Sequence, residues 1–283
     1  MDNIIDGRQI SKKVRTELAS YIERYETQLG FKPKLAVLLV GENKSAIAYV
    51  KGIMKMAKLS KVDVELVEYP DSITETNFLN EIRKFNQDSE VNGMLVLMPL
   101  PAHISRDNVF KVMSPLKDVD GLTSANIGDF YYGKTTHVAS TPKGVDTLIE
   151  ELKLEVKGLD ACVIGASPVV GKPMAELLLQ REATVTICHK ETKDLRKHTL
   201  NADLIVACAG VAHLVKEDMV KENVIIFDVG VNFIEGKMVG DCDFDHIKDK
   251  ASLITPVPGG VGPMTIATLF TQTYNAYKIM NNL

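Results

Sequence analysis

Short apolar runs, each closed by glycine or proline, recur along this chain, and between them the apolar residues switch to helical spacing. Lys34 to Val40 is one such run, ending at Gly41; an unbroken apolar stretch of this length suits a strand buried on both faces of a parallel sheet. Val62 to Tyr69 reads as a second strand. Gly93 to Met98, closed by Pro99-Leu100-Pro101, reads as a third. Ile10, Val14, Leu18, Ile22, Tyr25 and Leu29 mark a helix that stops at Gly30. A second helix is expected over roughly Ser45 to Leu59, and Thr74 caps a third that carries Phe78, Leu79, Ile82 and Phe85. Alternation of this kind restricts the chain to an α/β fold with a mostly parallel sheet.

The pattern breaks and then starts again. Ser114 to Ser140 is rich in Gly, Asp, Ser and Thr and has little periodicity, so it is expected to be a long connection at a domain boundary. Thr141-Pro142 reads as a cap and first helical position for a helix to about Leu152. Further strands are expected at Ala161–Ile164, Thr184–Cys188, Leu204–Ala207 and Val224–Val229. A final helix runs from about Pro263 to Met280, able either to cap the second domain or to return to the first. At 283 residues the chain has room for two cores.

Composition removes several function classes. A net charge of −4 offers no overall cationic surface for nucleic acid or an anionic membrane, so neither is an expected partner. No apolar run approaches the about 18 residues of a bilayer span. The opening residues lack the basic start and apolar core of a secretory leader. Cys162, Cys188, Cys208 and Cys242 are widely spread, with no Cys-x-x-Cys; buried free thiols in a cytoplasmic protein are expected, and no metal site.

The most chemical segment is a turn. Asp160 to Ile164 leads into Gly165-Ala166-Ser167-Pro168-Val169-Val170-Gly171, and Lys172-Pro173-Met174-Ala175 opens a helix. Glycines admit a tight turn and close backbone approach, and a helix N-terminus favours phosphate. A strand before and a helix after make this a candidate nicotinamide-dinucleotide site, although it departs from the usual G-x-G-x-x-G. The next strand ends at Cys188-His189-Lys190-Glu191-Thr192. Lys190 suits the 2′-phosphate of NADP, whereas Glu191 suits the free ribose hydroxyl of NAD, and the sequence leaves both open.

Further strings point to one family: Pro99-Leu100-Pro101, Lys117-Asp118-Val119-Asp120-Gly121-Leu122, Thr141-Pro142-Lys143-Gly144, Asp228-Val229-Gly230-Val231-Asn232 and Pro256-Val257-Pro258-Gly259-Gly260-Val261-Gly262-Pro263-Met264-Thr265. With the glycine turn, over nearly the whole chain, they resemble the bifunctional methylenetetrahydrofolate dehydrogenase/methenyltetrahydrofolate cyclohydrolase family. The resemblance implies an N-terminal α/β domain over 1–139, with 264–283 packing back on it, a Rossmann-type domain over 140–263, and a cleft enclosed by the two. It implies a tetrahydrofolate substrate, NADP (or NAD) as cofactor and a homodimer. Asp120 would hold the pterin and Tyr49 would stack on it. Pro258, Gly259 and Gly260 would lie beside the folate, and Gly165, Ala166, Ser167 and Val231 against the dinucleotide.

The sequence departs from that pattern where the hydrolytic step belongs. The family's Ser-x-x-Tyr-x-x-x-Lys is matched by Ala46-Ile47-Ala48-Tyr49-Val50-Lys51-Gly52-Ile53, so Ile53 stands at the lysine position. At about 100° per residue, Lys51 and Lys55 lie on the far side of the helix from Tyr49 and share a solvated stripe with Lys58. The family's Val-Gln-Leu-Pro-Leu-Pro is here Val96-Leu97-Met98-Pro99-Leu100-Pro101, with Leu97 for glutamine. Isoleucine cannot relay a proton or polarise water. Dehydrogenase activity is therefore expected and cyclohydrolase activity is expected weak or absent. A fully bifunctional enzyme, a non-catalytic folate- and nucleotide-binding protein and an unrelated two-domain dehydrogenase are the alternatives.

Overall fold

A computed structural model describes residues 3–134 and 137–283. Met1 and Asp2, and Thr135 and Thr136 within the expected connection, lie outside the described residues. The chain divides into two compact units. One combines Lys13–Ser140 with Ile266–Leu283; the other combines the described part of Met1–Lys12 with Thr141–Thr265.

In the first unit the elements are α1 (Gly7–Leu29, from Lys13 onward), β1 (Lys34–Val40), α2 (Lys44–Ser60), β2 (Asp63–Tyr69), α3 (Glu75–Gln87), β3 (Gly93–Val96), α4 (Arg106–Val112) and α5 (Ser124–Tyr131). The strands form a parallel sheet in the order β2-β1-β3. The central strand is buried on both faces, with Leu35 to Val40 at most 3% exposed, which is why it reads as an unbroken apolar run. Caps fix the helix starts: Asn43 Oδ1 accepts the Ser45 and Ala46 amides, and Thr74 Oγ1 accepts the Asn77 amide. The stretch expected to be an irregular connection contains α5, capped by Thr123. Eight residues give too few turns for a periodic apolar face to show in sequence.

The second unit contains α6 (Ser140–Glu151, from Thr141 onward), β4 (Asp160–Ile164), α7 (Gly171–Gln180), β5 (Thr184–Cys188), α8 (Leu195–Thr199), β6 (Leu204–Ala207), β7 (Ile225–Asp228), β8 (Asn232–Ile234), β9 (Lys237–Val239), α9 (Phe244–Ile247) and β10 (Leu253–Ile254). Five parallel strands pair in the order β10-β7-β6-β4-β5, with β8 and β9 as a separate antiparallel hairpin. The helix expected to start with Thr141 as its cap begins instead at Ser140, which leaves Pro142 in the first turn, where its missing N–H costs nothing. The final helix, α10 (Val261–Met280), contributes its residues from Ile266 onward to the first unit. There Leu269, Phe270, Tyr274 and Tyr277 join the cluster of Leu18, Ile22, Leu35 and Val37.

Candidate active site

In the first unit the site grows from the Lys117–Thr123 segment. The Met94 amide donates to the Lys117 carbonyl, tying the segment to β3. Asp118 is buried, and its Oδ2 accepts the Thr123 amide at 2.6 Å and Asn126 Nδ2 at 2.9 Å. Gly121 turns with φ +64°, and a side chain there would press on the Val138–Ala139 backbone, so only glycine fits. From α10, Gln272 Nε2 donates to the Val119 and Val138 carbonyls while its Oε1 accepts the Val138 amide. These bonds leave Asp120 held by its backbone, with its carboxylate accepting the Ser140 amide at 3.1 Å.

That carboxyl is strongly desolvated although Asp120 keeps some exposed surface. Burial pushes its pKa up to about 6, against the opposing pull of the Ser140 hydrogen bonding and Arg106. Burial first, and the Asp120 charge second, push the half-buried Tyr49 hydroxyl well above its ordinary value. Tyr49 and Asp120 are thus brought into one electrostatic neighbourhood. Around Tyr49 the wall is apolar. Ile53 is fully buried, Ala46 and Leu97 are 5% exposed, and all three belong to one cluster with Val50, Val119 and Ile266. Lys51, Lys55 and Lys58 are exposed on the other side of α2.

In the second unit the glycine turn forms as a cradle. Gly165 has φ +129°, and a Cβ on it would strike the Cys208 carbonyl. A Cβ on Gly171 would strike the Gly165 carbonyl, so α7 starts directly against the turn. Ser167 Oγ accepts the Val170 and Gly171 amides at 3.1 and 3.4 Å. Beside the turn lies a cavity of about 470 Å³, whose wall includes Gly165, Ala166, Ser167, His189, Lys190 and Thr192. Its far side is Cys208, Ala209 and Val211, the segment that follows β6. The volume suits a mononucleotide-sized half of a dinucleotide, and the position outside the carboxyl ends of β4, β5 and β6 is where parallel sheets bind nucleotides.

The post-β5 turn is built by its own side chains. Thr192 Oγ1 accepts the His189 amide at 2.9 Å, and His189 Nδ1 accepts the Glu191 amide at 3.2 Å. The Lys190 side chain is 90% exposed and Glu191 76%, with Nζ and Oε1 3.8 Å apart. Lys190 lines the cavity and Glu191 is not part of its wall. Val231 is 57% exposed after β7 and also lies outside that wall. Pro258 follows a cis bond, Gly259 has φ +114° beside the Arg8 guanidinium, and a Cβ on Gly260 would strike Thr255. This turn belongs to the second unit, whereas Tyr49 and Asp120 belong to the first. His189, Thr192 and the Cys208–Val211 segment were not singled out from sequence. The rule that ligands sit beyond strand carboxyl ends would have flagged all three.

The family model for the tetrahydrofolate dehydrogenase/cyclohydrolase catalytic domain matches residues 5–120, and that for the family's NAD(P)-binding domain matches residues 139–281. The chain belongs to the tetrahydrofolate dehydrogenase/cyclohydrolase family. It is 45% identical over 278 residues to the bifunctional protein FolD of Nautilia profundicola, covering 97% of each chain. Among solved structures, the bifunctional FolD of Campylobacter jejuni is 42% identical with a TM-score of 0.96, covering 99% of each chain. The Trypanosoma brucei FolD, solved with NADP and an inhibitor, is 30% identical with a TM-score of 0.94, covering 99% of this chain and 98% of that one. Family membership carries the two-domain α/β class and an NAD(P)-binding domain. Among the described residues no helix is long and apolar enough to cross a membrane.

Proposed function

We propose that the protein is a 5,10-methylenetetrahydrofolate dehydrogenase that forms 5,10-methenyltetrahydrofolate and hydrolyses it to 10-formyltetrahydrofolate slowly or not at all. The observation that carries this reading is a split in one site: Tyr49 and Asp120 are present and desolvated, while Ile53 and Leu97 are apolar and buried among other apolar side chains. Oxidation asks the protein to orient two carbons and exclude water. Hydrolysis asks it to activate water and move protons. The first requirement is met by these residues and the second is not.

Asp120 accepts hydrogen bonds from the aminopyrimidine edge of the pterin, and Tyr49 covers its face. Pro258, Gly259 and Gly260 offer backbone to the folate. A nicotinamide dinucleotide, when bound, supplies the hydride acceptor. The cradle that fits its phosphates is Gly165, Ala166 and Ser167, kept open by Gly165 and Gly171, where added Cβ atoms would collide; Val231, after β7 and outside that wall, is the further dinucleotide contact proposed. NADP is the favoured form, because Lys190 rather than Glu191 lines the cavity. The four free cysteines support a reducing, cytoplasmic setting, and a homodimer is the proposed assembly, checked by sedimentation.

The test is a rate assay with methylenetetrahydrofolate, run with NADP and NAD in parallel and followed at the absorbances of reduced nicotinamide and of the methenyl product. Nicotinamide reduction with accumulating methenyl product is expected. No reduction with either cofactor would leave a folate- and nucleotide-binding protein; reduction with no accumulation would restore the bifunctional reading that the FolD relatives favour.

A further inference from the structure

The cavity's far wall runs on from β6: the Cys208 amide still donates to the Ile164 carbonyl of β4, and one side chain then takes the next three amides. Asp241 Oδ2 accepts the Ala209 amide at 2.6 Å and the Gly210 amide at 2.9 Å. Its Oδ1 accepts the Val211 amide at 2.9 Å and Asn232 Nδ2 at 2.8 Å. Asp241 is fully buried. Four donors converge on two oxygens, and a carboxylate is the side chain that accepts at both ends without presenting a donor.

A second carboxylate fixes the first. Asp228, at the end of β7, accepts the Gly230 and Asp241 amides on Oδ1, each at 3.0 Å, and the Cys242 amide on Oδ2 at 2.8 Å. The two flanking glycines make room: a Cβ on Gly230 would strike the Asp241 carboxylate, and one on Gly240 the Asp228 carboxylate. Asp241 therefore has one available position, and from it grips both the loop after β6 and Asn232, the neighbour of Val231 after β7. Neither aspartate lines the cavity.

We propose that Asp241 is a positioning residue for the nicotinamide dinucleotide, its carboxylate setting the Cys208–Val211 backbone in the form that the cofactor meets. The proposal rests on the reading that this cavity takes the dinucleotide. Asp241→Asn keeps the shape of the side chain but turns an amide N–H₂ toward backbone N–H groups, so the loop loses at least one charge-assisted bond and gains a donor–donor clash.

The experiment compares the unaltered protein with Asp241→Asn in three measurements. These are hydrogen exchange at the 209–211 amides without nucleotide, NADP affinity by calorimetric titration, and steady-state kinetics. Far-UV circular dichroism checks folding. Exchange at the three amides is expected to quicken by at least about tenfold, and the NADP dissociation constant and KM to rise by about tenfold or more, on the scale of one lost hydrogen bond to a charged group. The kcat at saturating NADP and the KM for methylenetetrahydrofolate should stay within about threefold, a split that general destabilisation would not produce. Gly210→Ala strains the same loop from its own backbone, at φ +69° with open space around the new Cβ, and should weaken NADP binding a few-fold as the loop relaxes away from the left-handed conformation. It carries the test if Asp241→Asn does not fold. Unchanged NADP affinity in a folded variant, against normal binding by the unaltered protein, overturns the positioning role alone. Failure of the unaltered protein to bind either dinucleotide overturns the cavity reading and this proposal together.

Discussion

Restoring lysine at position 53 puts the split site to a quantitative test. Ile53 is fully buried in an apolar cluster that also holds Ala46, Val50 and Leu97. Removing that side chain forfeits up to about 1.5–3 kcal/mol of apolar burial, part of which the lysine methylenes recover. The amine is the larger cost: holding it neutral at pH 7 against an ordinary value of about 10.4 takes about 4–5 kcal/mol. Ile53→Lys alone should therefore destabilise the protein by about 4–6 kcal/mol, a large part of the roughly 5–15 kcal/mol that holds a domain together. Leu97→Gln adds an amide whose oxygen accepts from the new amine and favours its charged form, and a hydrogen bond to a charged group contributes about 1.5–3 kcal/mol. The double variant should then be more stable than the sum of its single variants by about 1–3 kcal/mol. Urea unfolding of all four proteins reads that coupling. Loss of methenyltetrahydrofolate absorbance, corrected for the buffer rate, reads hydrolysis, which should appear only when Lys and Gln are both present. Fast hydrolysis by the unaltered protein would refute the reasoning outright. Strictly additive stabilities would refute the placement of positions 53 and 97 in one pocket.

Further outcomes follow from Asp120 in the first unit and from the glycine cradle of the second. Asp120 has its pKa raised to about 6, so kcat/KM for the folate should fall as pH drops through about 6 and the acceptor is protonated. Stability moves the other way, since a raised carboxyl contributes below its unfolded value of about 3.9 and loses that contribution as pH rises through about 6; Asp228, also pushed up to about 6 by burial, has the same sign. Thermal melts and pH–rate profiles over this window check both. Gly171→Ala should gain helix propensity, yet it drives a Cβ into the Gly165 carbonyl; a net loss of about 1–3 kcal/mol and weaker NADP binding are expected by calorimetry. Lys190→Ala should lower the ratio of NADP to NAD specificity by about tenfold if the lysine meets a 2′-phosphate, and an unchanged ratio would assign discrimination elsewhere.

Local chemistry made much of the fold legible. Strands buried on both faces leave unbroken apolar runs, and Lys34–Val40 and Leu204–Ala207 form as the sequence indicates; Thr184–Cys188 forms too, as a largely exposed strand at the sheet edge. Thr74 caps where a threonine before a periodic segment should. Short elements were not legible, because one or two turns or three paired residues carry too little pattern: α5, β8 and β9 are of this kind. Residues 3–12 precede the first unit in sequence but belong to the second, where the Ile5 amide pairs with the Ile254 carbonyl; a pairing across some 250 positions leaves no local trace.

The candidate site divides along the same line. Spacing on one helix was enough to put Ile53 beside Tyr49 and the lysines opposite, because helical geometry is local. The glycine turn was readable because only glycine tolerates the φ of Gly165 and the close approach at Gly171. Tertiary structure alone decided that Lys190 faces the cavity while Glu191 does not, that Asp120 is desolvated, and that Asp241 grips a loop some thirty residues before it. Burial and convergence of hydrogen bonds are properties of what surrounds a group. A sequence names the group, and only the folded chain supplies the surroundings.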